Sequence, residues 1–224
     1  MTKPQRGTSI PEVLTVTVII GMLLSAMVVI VPLLVKSPLQ MQSQVDTVNT
    51  AAIALYKMRR DFSQGDTNGV MVCSITPSVS CSTPPSTATS TQALVVVTDD
   101  KGTGVFNVDA NGYPLWDGIY IYWLQLNSTG TAYDLMRAYE PAPVGTPIKS
   151  INGVPTNVDA TFVTPLVTAA MSMSPAPVLT NNIADMELGV SGSPSTINFE
   201  LIAGTIGGAN QTQTDFQGNT YARN

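Results

Sequence analysis

The chain has no histidine. That removes the commonest general base and the commonest transition-metal ligand together, and no enzyme is expected. Charge is scarce as well: Asp, Glu, Lys and Arg make up 11% of 224 residues and the net charge is −5. Phosphate binding needs concentrated Lys and Arg, so nucleic acid is not expected as a direct partner. No cofactor is expected either. The glycines of "GTGVFNV" (102–108) do not have phosphate-loop spacing, and Ser9 has no histidine with which to form a triad. Cysteine occurs only twice, Cys73 and Cys81, on either side of a proline-containing stretch, "CSITPSVSC". In a segment expected outside the cytoplasm, a disulfide is the natural reading. Closing a loop of this size contributes about 2.5 kcal/mol in the chain-entropy account.

Apolar sequence, in contrast, is plentiful near the start. Residues 13–35 form a run of 23 without a formal charge. At helical rise this run covers roughly 34 Å, enough for a tilted transmembrane span. It is too long and too continuous for a signal peptide with a small-residue cleavage site. Lys3 and Arg6 precede it, so the N-terminus is expected in the cytoplasm and the rest outside. Pro32 and Pro38 are expected to kink or open the helix. Beyond them Val45, Val48, Ala52, Leu55, Met58 and Phe62 recur at three- and four-residue spacing, which predicts an amphipathic helix over 39–62.

Glu12 stands at the mouth of this run, five residues after Gly7. One reading is local: Ser9-Ile10-Pro11-Glu12 matches a capping box with proline in the first turn. The order of features goes further. A short basic leader ending in Gly7, a new N-terminus at Thr8, a glutamate at the fifth position after it and an uninterrupted apolar helix together resemble the type IV pilin and pseudopilin family. Thr8 and Pro11 stand where the family usually has Phe and an aliphatic residue. The resemblance implies a leader, 1–7, removed by a prepilin peptidase after Gly7, and N-methylation of Thr8. It also implies an N-terminal helix, 8–62, and an extracytoplasmic head, 63–224. The fold implied is α+β, a long helix packed on an antiparallel sheet. The partners implied are prepilin peptidase, other pilin or pseudopilin subunits and inner-membrane lipid, with the subunit passing from the bacterial inner membrane to a pilus or pseudopilus. There is a physical reason for Glu12 to serve assembly. A carboxylate in an apolar layer needs a cation, and cleavage creates one, the α-amine at position 8 of a neighbouring helix. An uncleaved, signal-anchored binding module is the alternative from another class.

In the head the 3.6-residue period disappears. Residues 93–98, 104–108, 118–126, 132–140 and 197–203 read as strands, with the clearest hairpin at 127–131. Residues 74–91 and 141–177, rich in Pro, Ser and Thr, read as long loops. Two local features, "YKMRRDFSQG" at the helix end and a Tyr-rich hairpin reaching Arg137, resemble J-type pseudopilins and W-type minor pilins, which implies a minor subunit. Asp99, Asp100, Asp109 and Asn111 carry oxygen ligands suited to calcium, but without an EF-hand pattern they read as turns or a solvated face. Tyr120, Tyr122, Trp123 and Tyr139 read as sheet packing in preference to a binding strip.

Overall fold

The computed structural model describes residues 10–100, 107–173, 175, 177–191, 196–204 and 214–221, with backbone alone at 29, 31–44, 47 and 214–221. The protein is α+β and divides into two compact units, Met1–Asp46 and Thr47–Asn224. Helix α1, Ile10–Gln64, contributes to both. Its helical backbone continues through Pro32 and Pro38, since each proline removes one rung of the hydrogen-bond ladder and its neighbours remain.

In the first unit, Ile10–Val28 has a mean hydropathy of 2.0 and is long and apolar enough to cross a membrane. Its large side chains, among them Leu14, Ile19, Leu23 and Val28, are exposed. In the second unit α1 buries Ala51, Ala54, Met58 and Phe62 completely. This corrects the expected stripe. Met58 and Phe62 belong to the buried face, Val48 and Leu55 lie half-buried at its flank, and Val45 and Ala52 are exposed. Gly65 ends the helix against strand backbone: a Cβ there would lie 2.4 Å from Val96 Cγ2 and 2.8 Å from the Val97 carbonyl oxygen. A short turn, Thr67–Gly69, follows, capped by Asp66, whose Oδ1 accepts the Asn68 N–H at 2.7 Å.

The strands are β1 (Val70–Ser74), β2 (Ser80–Ser82), β3 (Thr89–Ser90), β4 (Ala93–Thr98), β5 (Gly118–Leu126), β6 (Tyr133–Pro141), β7 (Ser150–Ile151), β8 (Val154–Pro155), β9 (Val178–Ser191), β10 (Thr196–Ala203) and β11 (Thr214–Tyr221). Among the described residues nine of these form one antiparallel sheet, in the order β11-β10-β9-β6-β5-β4-β1-β2, with β3 paired to β9. Strands β7 and β8 form a separate two-stranded hairpin. The expected strands at 93–98, 118–126, 132–140 and 197–203 are present to within a residue, and so is the turn between β5 and β6, where Asn127 N donates to Ala132 O at 3.0 Å. Residues 104–106 of another expected strand lie outside the described residues, and Val108 makes only an isolated bridge to Pro114.

Both long loops are corrected. Residues 74–91 contain β2 and β3, and the segment before β4 lies along β9, with Val190 N donating to Pro85 O at 2.8 Å. Gly189 admits that approach, because a Cβ there would lie 2.5 Å from the Ala88 nitrogen. Within 141–177 lies a helix, α2, Ala160–Met171, started by Asp159, whose Oδ1 accepts Phe162 N–H at 2.9 Å. Its buried residues Val163, Leu166, Val167 and Ala170 follow helical spacing around an internal Pro165. β-Branched residues and the proline mask that period in the sequence.

Alternation gives the sheet two packed faces. One gathers Leu94, Val96, Tyr120, Tyr122, Leu135, Met186, Leu188 and Phe199 around the α1 residues. The other gathers Val95, Val97, Ile119, Ile121, Trp123 and Met136 with α2 and the cystine. The fold is thus helix, sheet and second helix, with a separate apolar core on each side of the sheet.

Candidate functional site

The residues singled out by the sequence lie at the start of α1 and at the β1–β2 cysteine pair, and the fold adds a further cluster. Gly7 and Thr8, the expected cleavage and methylation positions, lie outside the described residues, as does Ser9 of the capping box. Glu12 lies in the first turn of α1 and is exposed. A carboxylate there complements the partial positive charge of the helix N-terminus. It is the only formal charge in Ile10–Val28.

Cys73 and Cys81 form a disulfide, as their spacing suggested. They face each other in register between β1 and β2 and pack into the α2-side core. Gln92 holds the loop they close: its Oε1 accepts from Ile75 N at 2.7 Å and Thr76 N at 3.1 Å.

The further cluster was not foreseen as a unit. Asp61 turns into the α1-side core with 2% exposure. Its Oδ2 accepts from Arg137 Nε at 2.9 Å and Nη2 at 2.7 Å, and from the Tyr122 hydroxyl. The Tyr122 oxygen in turn accepts from Arg137 Nε at 3.1 Å. The guanidinium stacks on Tyr120, its Cζ 4.1 Å from the ring centroid, and Tyr120 packs on Tyr139 at 5.4 Å. Tyr120 donates onward to Asp100 Oδ2 at 3.4 Å.

These contacts fix protonation states. Burial, and then the Asp61 charge, push the Tyr122 hydroxyl well above its ordinary range, so it keeps its proton and donates. Burial alone would lower the Arg137 pKa, but the Asp61 charge and the hydrogen bonds to Asp61 and Tyr122 outweigh it and raise the value, keeping the guanidinium cationic. The cluster therefore holds an ion pair and a neutral phenol. It is built to join α1 to β5 and β6 across 61 and 76 residues of sequence. A signal for it was available. Asp61 lies three residues past Met58 on the inward face, and Arg137 is the only Lys or Arg within the strands expected from the sequence.

The remaining candidates separate. Asp109 Oδ1 accepts from Asn111 N at 2.8 Å and Tyr113 N at 2.9 Å, a turn held by its own side chain. Asp99 and Asp100 are buried, which corrects the solvated-face reading for that pair. Among the described residues no group of three or more Cys, Asp or Glu is placed to hold a metal. Tyr120 and Tyr122 face α1 whereas Trp123 faces α2, so the aromatic residues form no single strip.

Compared with family models, with curated proteins and with solved structures, the chain matches none.

Proposed function

We propose that this chain is a structural subunit, of the minor kind, of a type IV pilin-like filament: a type IV pilus or a type II secretion pseudopilus. The observation that carries the reading is the division of labour along one helix. Ile10–Val28 is apolar on every side with Glu12 as its only charge, and residues 51–62 of the same helix fill a core of the head. The apolar part holds the precursor in the inner membrane. Prepilin peptidase cuts after Gly7 and methylates Thr8. The new amine pairs with Glu12 of a neighbouring subunit, which sets axial register between helices. The disulfide suits a head outside the cytoplasm.

The test is the N-terminal mass of the protein extracted from membranes of a host with and without prepilin peptidase. The expected product starts at Thr8 and carries one added methyl group, only when the peptidase is present. Retention of residues 1–7 in the competent host overturns the proposal and leaves an anchored binding module.

A further inference from the structure

Two apolar faces compete on α1 between residues 48 and 62. One, Val48, Ala52, Leu55 and Phe62, has the larger side chains; the other, Ala51, Ala54, Met58 and Phe62, also includes Asp61. Their centres differ by roughly 70° about the helix axis at 100° per residue. Hydrophobic burial does not select the second face on its own. Turning inward Val48, Ala52 and Leu55 in place of Ala51, Ala54 and Met58 exchanges side chains of similar total apolar size, with slightly more on the first face. Yet Ala51 and Ala54 are the residues fully removed from solvent, while Ala52 is exposed and Val48 and Leu55 remain at the flank.

What separates the faces is Asp61. Rotating α1 to the larger face carries its carboxylate away from β5 and β6. The half-buried Arg137 guanidinium and the buried Tyr122 hydroxyl then lose the oxygen that receives three of their hydrogen bonds. A half-buried cation without its partner, beside a buried hydroxyl without its acceptor, costs more than the small apolar area gained. We infer that the Asp61–Tyr122–Arg137 cluster selects which face of α1 docks on the sheet and so fixes the rotation of the helix in the head. A single polar group specifies register in the same way at an otherwise apolar coiled-coil seam.

The native cysteines are joined to each other, so a single introduced cysteine is the one reactive thiol in the full-length protein. Ala52→Cys and Ala54→Cys are each placed in the native background and in an Asp61→Ala, Tyr122→Phe, Arg137→Met background. The protein is held in detergent micelles, and alkylation by an uncharged maleimide is timed. In the native background position 52 reacts about 100-fold faster than position 54, since 54 reacts only through local opening. Without the cluster the ratio falls to about 1 or below, as the larger face becomes populated. A ratio that stays near its native value overturns the inference. Val97→Cys, fully buried on the α2 side, reports the sheet itself. If it becomes as reactive as position 52, the cluster supports the whole head instead of choosing a face, and the inference fails equally.

Discussion

Ile10–Val28 and residues 51–62 are stretches of one helix with opposite relations to their surroundings. The first is apolar on every side and offers no polar face to water. The second is apolar on one side, places small alanines where it meets the sheet, and brings a buried carboxylate to a half-buried cation. Total hydrophobicity does not distinguish the two roles; its distribution around the helix does. A side chain in the first stretch matters to whatever surrounds the helix, and one in the second matters to the fold of the head.

Substitutions can break or sharpen that contrast. The largest effect is expected at Glu12. Glu12→Ala leaves leader cleavage and the thermal unfolding of the head unchanged but abolishes entry into filaments, scored in sheared surface fractions; normal incorporation would refute the role proposed for the carboxylate. In the other stretch, Phe62→Ala removes a ring packed on Tyr122 and Phe199 and lowers head stability by about 3–5 kcal/mol in denaturant unfolding. Leu23→Ala, exposed in the first stretch, shifts the same transition by less than about 0.5 kcal/mol. Asp61→Ala strands the Arg137 cation and lowers stability by about 3 kcal/mol, more than the combined apolar replacement of the cluster does. Replacing both Cys73 and Cys81 by Ala lowers it by about 2.5 kcal/mol, measured under non-reducing conditions against the native protein.

The smallest effect is one of pH. Burial raises the Tyr139 hydroxyl from 10.0 to about 12, with the charges of Asp117, Tyr120 and Asp100 adding to it. A pKa raised on folding contributes stability that is fully present below pH 10 and is lost as pH rises through about 12. Tyr139→Phe therefore flattens the alkaline fall of the unfolding midpoint in that window and leaves it unchanged at neutral pH.

Local pattern made much of this legible. The apolar run, the strands at 93–98 and 118–126 and the Cys73–Cys81 pair each carry their signal within a few residues. What stayed hidden depended on distant partners. Strand β9 is long and polar in places, and its pairing with β3, β6 and β10 defines it more than its own alternation does. In α2 the Asp159 cap and the spacing of Val163, Leu166, Val167 and Ala170 were present, but Pro165 and the threonines read as a loop. The inward face of α1 was displaced by roughly 70° about the helix axis, because periodicity weighs size and cannot see Arg137.

The separation between Asp61 and its partners also sets an order of events during synthesis. Phe62 leaves the ribosome about 135 residues before β10 begins to contribute Ile197 and Phe199, roughly 7–27 s at ordinary elongation rates. For that interval the inward face of α1 lacks its β10 partners, while Leu94, Tyr120, Tyr122 and Leu135 of β4, β5 and β6 emerge earlier, and its carboxylate has no guanidinium until Arg137 emerges. The α1-side core therefore gains its last residues, Ile197, Phe199 and Leu201, only when β10 is made.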